Sequence, residues 1–326
     1  MKRCMLNVPK QTSMLIGCLL VLPSCTHKSH IIKKEICTYP IEALSFEEID
    51  KQVPTHNSDI TVFIHGTKLL MRSSYYKHFG GKPRLKQACA FSPDTKIDRL
   101  LKQLSFVAPD MFPYDNLYCF GWSGKLSVKE RNNVTHVLYD QLVEISHTYY
   151  LTHRRKPTIC LICHSHGGNI ALSLACIHAQ KQKNLTIDAL ITLACPVQLS
   201  TKNFVDCPLF KQVYSFYSTF DFVQVIAPEI VHYVHNEQGE LICKKPCWFP
   251  FSSRRFDERP HVKQARIKMN KHAVLHSCFT KADFLQTLPQ LMHAVDDAYT
   301  HQNQTVAPHK KEVLCAITSR KINAQA

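Results

Sequence analysis

The stretch from Thr158 to Ala171 constrains the fold of this 326-residue chain more than any other part. An apolar, β-branched run ends abruptly at the motif His164-Ser165-His166-Gly167-Gly168, and a segment of helical character follows. A strand that turns sharply into a helix strains the residue at the apex, so the neighbours of that residue must be small. The two glycines meet this need, and Cys163 is a small side chain where the usual G-x-S-x-G pattern has its first glycine. The pattern predicts an exposed nucleophilic hydroxyl at Ser165.

The apolar segments alternate between strand and helix character along the chain. Such alternation favours an α/β protein with a mostly parallel sheet and helices on both faces. The predicted strands are Ile60–Ile64, Leu117–Phe120, Thr158–Cys163, Ile187–Leu193, Val213–Ser218 and Gln264–Met269, and the predicted helices are Ser127–Tyr150, Asn169–Gln182 and Thr280–Ala298.

Five motifs carry a resemblance to a known family. They are FIHGT at Phe63–Thr67, YCFGWSG at Tyr118–Gly124, ICHSHGGNIAL at Ile162–Leu172, YSTFDFVQ at Tyr217–Gln224 and HAVLHSCF at His272–Phe279. On these motifs the chain resembles a serine α/β-hydrolase of the lipase/esterase type, within the group of bacterial hydrolases that have an H-S-H/M-G-G turn. The resemblance implies an α/β-hydrolase fold and the hydrolysis of an ester, thioester or amide, with no cofactor and no metal.

The resemblance also implies a role for individual residues. Ser165 would be the nucleophile, and the backbone N–H groups of His166 and Thr67 (or Lys68) would form the oxyanion hole. Asp221 lies just beyond the strand that follows the nucleophile and would orient the catalytic histidine, with Asp188 and Asp206 as less well placed acids. The order serine, aspartate, histidine would be completed by His272 or, alternatively, by His276. The position of His272 just after a predicted strand favours His272.

The amino terminus predicts export. Two basic residues precede the apolar run Met14–Leu22, which is too short to span a bilayer but suits a signal peptide. The sequence Leu22-Pro23-Ser24-Cys25 resembles a bacterial lipobox, with lipidation at Cys25. We expect a lipid-anchored protein of the bacterial cell envelope, with simple secretion or an uncleaved anchor as the alternatives.

The predicted organisation is a signal peptide at 1–24, a tether at 25–58, one α/β-hydrolase domain at 59–299 and a polar, frayed tail at 300–326. Two insertions interrupt the domain. The insertion at 68–116 is rich in aromatic residues, Met and Pro, and is either a cap over an acyl pocket or packed loop. The insertion at 232–262 predicts a hairpin around residues 236–239.

Fifteen cysteines are unusual for an exported chain. Cys160, Cys163, Cys176 and Cys195 fall within predicted core elements and are expected to be buried, reduced thiols. Cys243 and Cys247 could form a local disulfide. A zinc site from this pair and nearby histidines would have poor ligand spacing.

The net charge of +15 does not by itself indicate a nucleic-acid-binding protein, because no recognisable module or aromatic-interleaved basic stripe accompanies it. The main basic run contains Arg254, Arg255, Arg259, Lys263, Arg266, Lys268 and Lys271. It is either a solvated strand face or a surface attracted to anionic lipid headgroups.

The sequence as a whole predicts a serine hydrolase that cleaves a carboxylic ester, either a lipid or a small acyl ester, through an acyl-enzyme on Ser165. An amidase or thioesterase of the same fold is the alternative within enzymes. A non-catalytic surface lipoprotein on a hydrolase scaffold is the alternative outside them. The expected partners are the acyl substrate and a membrane surface.

Overall fold

Six parallel strands form the centre of the principal sheet. The computed structural model describes residues 57–67, 77–226, 232–235, 241–244, 252–269, 272–305 and 313–317. The central strands, in spatial order, are β3 (Leu117–Gly121), β1 (Ile60–Ile64), β4 (Ile159–His164), β5 (Ile187–Leu193), β6 (Phe210–Tyr217) and β9 (Val262–Met269).

Further strands extend both sides of this centre. At one side, β2 (Arg84–Gln87) pairs antiparallel with β3. At the other side, β10 (His272–Ala273) pairs antiparallel with β9, and β11 (Val313–Ile317) pairs parallel with β9. A separate antiparallel pair joins β7 (His232–His235) and β8 (Leu241–Lys244), which confirms the predicted hairpin.

The main helices cover the sheet. They are α1 (Lys96–Val107), α2 (Val128–His153), α3 (His166–Lys181), α4 (Phe222–Ile226), α5 (Ala282–Leu285) and α6 (Leu288–Thr305). Side-chain caps fix two of the starts, since the hydroxyl of Thr95 accepts from the N–H of Asp98 and that of Ser127 accepts from the N–H of Glu130. The predicted helix Thr280–Ala298 is interrupted and contains α5 and most of α6.

Alternation along the strands divides the core into two layers. In β1, Val62 and Ile64 pack with α2 and α3 on one face, whereas Phe63 packs with α1 and α6 on the other. All five residues of β1 are buried. A strand covered on both faces is apolar throughout, which explains why these segments lack a polar alternation in the sequence. The predicted parallel sheet with helices on both faces is confirmed.

The structure bears on two predictions about the periphery of the domain. Within the first insertion, Phe79, Phe91 and Phe112 are buried in the core, so the described residues 77–116 agree with the packed-loop alternative. The predicted frayed tail contains β11, and α6 runs to Thr305, so the domain extends beyond the predicted boundary at 299. The chain up to residue 56, including Cys25, lies outside the described residues.

Eight cysteines of the described part carry no disulfide: Cys89, Cys119, Cys160, Cys163, Cys176, Cys195, Cys207 and Cys278. Cys160, Cys163 and Cys195 are buried as predicted, whereas Cys176 is exposed, contrary to the prediction. The predicted disulfide between Cys243 and Cys247 stays a prediction, because Cys247 lies outside the described residues. Within the part of the chain that the structure describes, no helix has the length and apolar character to cross a membrane.

Candidate active site

The candidate site lies where the order of the strands reverses. β1 has β3 on one side and β4 on the other, so the chain leaves β1 and β4 in different directions at their carboxyl ends. In open parallel sheets this divergence creates a crevice that binds ligands. The loop His65–Thr67 follows β1, and Ser165 follows β4. The topology therefore brings the two most distinctive sequence motifs to one crevice.

Ser165 occupies a strained turn between β4 and α3. Its φ is 54° and its ψ is −133°, a combination that only glycine adopts readily. The backbone on both sides fixes the turn, because Ser165 donates its N–H to the carbonyl oxygen of Leu193 at 2.9 Å and its own carbonyl accepts from Gly168 at 2.9 Å. Surroundings that hold a non-glycine residue in this conformation are typical of a functional site.

The glycines explain how closely the backbones approach at this turn. A Cβ atom on Gly66 would lie 2.5 Å from the Cβ of Ser165, and one on Gly167 would lie 2.5 Å from the carbonyl oxygen of Ile64. The loop after β1 and the start of α3 therefore touch each other directly. His166 and Thr67, the predicted oxyanion-hole residues, flank this junction.

Trp122 holds the loop after β1 in place. Its indole N–H donates to the carbonyl oxygen of His65 at 2.8 Å, its ring stacks on the His65 ring at 5.6 Å, and its backbone N–H donates to Nε2 of His65 at 3.4 Å. Trp122 is fully buried. The sequence did not predict that this tryptophan supports the loop. Its position directly after a core strand did indicate that it lies near the site.

Asp221 and His276 form a pair at the carboxyl edge of the sheet. Nδ1 of His276 lies 2.7 Å from Oδ2 of Asp221, whose carboxylate is fully buried. Oδ1 of Asp221 accepts from the backbone N–H of Gln224 at 3.1 Å, which fixes the carboxylate at the start of α4. Since Asp221 engages Nδ1, the other ring nitrogen of His276 is left for a proton from a reacting group.

The preference for His272 over His276 is not supported by this geometry. His272 belongs to β10, whose backbone pairs with Met269 at the end of β9. The chain therefore reverses once more before the histidine loop begins, and His276 starts the short 3-10 turn His276–Thr280. The loop is longer than the sequence pattern indicated, and His276 is the residue that reaches Asp221.

His164 connects this pair to the strand that carries the serine. Its ring lies 4.8 Å from the His276 ring, and its Nε2 lies 3.0 Å from the His276 carbonyl oxygen. Desolvation, together with the nearby His276, lowers the pKa of His164 to about 3. A neutral His164 can donate from Nε2 to that carbonyl and hold the histidine loop against β4. The sequence alone indicated no more than packing for His164.

His166 begins α3 within a buried polar cluster. Its Nδ1 lies 3.3 Å from Nδ2 of Asn169, which also donates to the carbonyl oxygen of Pro196 at 3.0 Å, and Oδ1 of Asn169 accepts from Thr201 at 2.6 Å. Desolvation and the positive charge of Arg131 lower the pKa of His166 to about 3. The imidazole is therefore neutral at physiological pH, and its cluster anchors the first turn of α3.

The two rival acids are engaged elsewhere. Asp188, near the start of β5, accepts from the backbone N–H of Ile159 and from Lys211, both near the opposite edge of the sheet. Asp206 accepts from Arg259. Asp221 is therefore the acid that the structure brings to His276.

Exposed apolar side chains surround the Asp221–His276 pair. Phe220 and Phe222 are 48% and 65% exposed on either side of Asp221, and Leu275 is 57% exposed immediately before His276. Val223 is also half exposed. We call Phe220, Phe222, Val223 and Leu275 the apolar rim. Large apolar residues exposed together are typical of a surface that meets an apolar ligand.

No group of three or more His, Cys, Asp or Glu side chains suited to a metal ion occurs within the described residues. The histidines considered for a zinc site include His261, whose Nε2 lies 2.8 Å from the carbonyl oxygen of Val205. The side chains of Cys243 and Cys247 lie outside the described part.

The comparison with protein-family models agrees with the fold. The model of the family described as "PGAP1-like alpha/beta domain" matches residues 127–224, which include Ser165 and Asp221 but not His276. Among curated protein sequences, none matches this chain. The strand order, the strained serine turn and the helices on both faces give the protein an α/β-hydrolase fold.

Solved structures with similarity to the chain include three lipid or ester hydrolases. Aspergillus fumigatus lipase B shares 14% identity at a TM-score of 0.37, over 75% of this chain and 52% of that chain. Legionella pneumophila phospholipase PlaB shares 10% identity at a TM-score of 0.39, over 75% and 62%. Mycobacterium marinum esterase LipW shares 11% identity at a TM-score of 0.34, over 80% and 64%. The chain thus spans about half to two thirds of these proteins.

Proposed function

We propose that the protein is a serine hydrolase that cleaves a carboxylic ester through an acyl-enzyme on Ser165. The observation that carries the proposal is the buried Asp221–His276 pair, which lies at the same edge of the sheet as the strained Ser165 turn. His164 links the two parts, since it precedes Ser165 in the chain and contacts the His276 loop. The combination supplies a nucleophile, a base and an acid that orients the base.

In the proposed reaction, His276 takes the proton of the Ser165 hydroxyl while the oxygen attacks the ester carbonyl carbon. Asp221 stabilises the imidazolium that forms. The backbone N–H groups of His166 and Thr67 would stabilise the tetrahedral oxyanion, and each such donor contributes about 2.7–4 kcal/mol to lowering the barrier. His276 then protonates the leaving alcohol. Water, activated by the same histidine, releases the carboxylic acid and restores Ser165.

The apolar rim supports a substrate with an apolar acyl group. Phe220, Phe222 and Leu275 are exposed beside the proposed acid and base, where an acyl chain would bury part of their surface. Burial of apolar surface contributes about 25 cal/mol per Å². We therefore propose a lipid or another acyl ester as the substrate class, in preference to a small polar ester.

The test is the turnover of p-nitrophenyl esters of graded chain length, together with labelling by a fluorophosphonate probe. We expect labelling of wild-type protein and none of Ser165→Ala. Ser123→Ala is the matched control, because Ser123 is also followed by glycine after a core strand but precedes no helix directly, and we expect it to label normally. Labelling that persists in Ser165→Ala would contradict the proposal.

We also propose that the protein is held at a bacterial membrane by a lipidated Cys25, and the sequence Leu22-Pro23-Ser24-Cys25 supports this. Mass spectrometry of the mature protein should find a diacylated Cys25 at the amino terminus. Cys25→Ser should shift the protein from the membrane fraction to the soluble fraction, with Cys89→Ser, an exposed cysteine of the domain, as the control. An intact Met1 in the mature protein would rule the anchor out.

A further inference from the structure

The basic run of the sequence divides into two groups in the structure. Arg259 donates to Oδ1 of Asp206 at 2.7 Å, and Lys263 donates to Oδ1 of Asp296 at 2.5 Å. Their charges are therefore compensated by carboxylates. Arg254, Arg255 and Arg266 differ from these in their place, because all three line one cavity. Arg255 and Arg266 also have interaction partners within the protein.

This cavity has a volume of about 410 Å³ and is rich in cationic groups and hydroxyls. Its lining residues are Tyr217, Thr219, Val225, Ser252, Ser253, Arg254, Arg255 and Arg266. Three of them carry a guanidinium group and four carry a hydroxyl, and none of these described lining residues carries a carboxylate. A concentration of donors and positive charge without acids is suited to an anion.

Hydrogen bonds to two neighbouring segments, and one within the segment itself, fix the stretch that supplies two of the arginines. Ser253 exchanges both backbone hydrogen bonds with Val197, at 2.9 and 2.8 Å, and Ser252 donates to the carbonyl oxygen of Val225 at 3.1 Å. The hydroxyl of Ser253 accepts from the N–H of Arg255 at 3.1 Å. The arginines therefore project from a fixed backbone, so a ligand would meet them with little loss of chain entropy.

Arg254 has spare capacity for a ligand. Its Nη2 donates to the backbone carbonyl of Asp221 at 3.2 Å, and its Nε is buried without a hydrogen-bond partner in the described structure. The contact of Arg254 is with the backbone of Asp221, whereas the Asp221 carboxylate accepts from His276 and Gln224. A buried donor without a partner costs free energy unless a ligand or water satisfies it.

The cavity lies beside the proposed active site and not within it. Arg266 is on β9, opposite Tyr217 at the end of β6, and β9 is the third strand from β4 in the sheet. At about 4.8 Å between strands, the two strands are roughly 14 Å apart. An anion held by the arginines would therefore be separate from the ester carbonyl at Ser165.

We propose that this cavity is a binding site for a phosphate group, contacted by Arg254, Arg255 and Arg266. Guanidinium groups bind phosphate oxygens in pairs of parallel hydrogen bonds, and the cavity presents three of them together with hydroxyl donors. The phosphate comes either from a lipid headgroup at the membrane or from free phosphate in solution. The site does not depend on the proposed hydrolysis, since binding alone defines it.

Calorimetry with inorganic phosphate tests the site on the full chain. We expect saturable binding by the wild type, and an affinity lower by about tenfold or more in Arg255→Gln and in Arg266→Gln. Arg259→Gln is the matched control, because it removes one positive charge from the same segment but from a residue paired with Asp206. Arg255→Lys keeps the charge but loses the paired hydrogen bonds, and we expect intermediate affinity.

Vesicles distinguish the two sources of phosphate. If the source is a headgroup, the wild type should bind phosphatidylcholine vesicles containing phosphatidic acid more tightly than vesicles with an equal charge from oleate, and Arg255→Gln should lose this difference. If the source is free phosphate, calorimetric binding should persist while the two vesicle types bind equally. The proposal is overturned if neither probe binds, or if Arg259→Gln weakens binding as much as the cavity variants do.

Discussion

The two edges of the sheet use polar residues in opposite ways. At the amino edge, where β1 and β4 begin, the carboxylate of Asp59 accepts from both terminal nitrogens of Arg155, from the hydroxyl of Tyr149 and from the N–H of Thr158. Asp188 is likewise paired with Lys211. Both carboxylate oxygens of Asp59 accept several hydrogen bonds from within the protein. The polar residues of this edge therefore connect the starts of β1 and β4.

At the carboxyl edge the same sheet holds groups in conformations or environments that cost free energy. Ser165 is strained, Asp221 is buried with its histidine, and Arg254 has a buried donor without a partner in the described structure. Strain and incomplete pairing persist only where the surrounding fold enforces them. The comparison teaches that satisfied polar pairs are concentrated at one edge of this sheet, and strained or incompletely paired groups at the other. The following predictions test whether stability and the proposed reactivity divide in the same way.

The largest effect is expected at Ser165. Replacement by glycine should reduce ester turnover by a factor on the order of 10⁶, because the proposed nucleophile is lost. The same change should raise the free energy of unfolding by about 1 kcal/mol, since glycine adopts a positive φ without strain. Turnover and urea unfolding measure the two effects. Activity that survives the substitution would remove Ser165 from the mechanism.

The next effect distinguishes the two histidines. His276→Ala should lower kcat by roughly 10⁴-fold or more, because the proposed base is lost. His272→Ala should stay within a few-fold of wild type, since its backbone lies in β10 before the histidine loop. Steady-state kinetics on a p-nitrophenyl ester measures both variants. The opposite ranking would restore His272 as the base.

A substitution at the amino edge should affect stability and not catalysis. Asp59→Ala leaves Arg155 and Thr158 without their shared acceptor, and we expect a loss of about 2–4 kcal/mol in the free energy of unfolding. The value of kcat/KM should remain within twofold. Asp140→Ala is the control: it breaks an exposed pair with Lys181 and should cost less than about 1 kcal/mol. If both variants lose the same free energy of unfolding, the Asp59 cluster contributes no more to stability than an exposed ion pair, and the prediction is wrong.

The smallest expected effect is on the way in which the free energy of unfolding changes at acidic pH. The folded pKa of His166, about 3, is below the ordinary value of 6.5, so between these values the unfolded state binds a proton that the folded state excludes. The stabilising contribution is full above pH 6.5 and falls by about 1.4 kcal/mol per pH unit below it, or about 2 kcal/mol by pH 5. His166→Gln should flatten the dependence of the unfolding free energy on pH by this amount. An unchanged slope would mean that His166 is protonated in the fold.

Local patterns predicted most of the sheet. Ile60–Ile64 and Ile187–Leu193 were predicted with the observed limits, because strands buried on both faces leave an unmistakable run of apolar residues. The two glycines after Ser165 predicted the sharp turn, since only small residues permit the approach to β1. The short strand β10 and the strand β11 were missed, because two residues or a mixed run carry too little periodicity.

The sequence by itself determined the fold class and the position of the strained serine. Both depend on interactions between residues that are close in the chain: side-chain alternation in a strand, and steric space at a turn. Only the tertiary structure decided that His276 meets Asp221, 55 residues away. It also decided that Arg254, Arg255 and Arg266 share a cavity while Arg259 does not. These choices depend on loop lengths and strand register across the sheet, which no local pattern encodes.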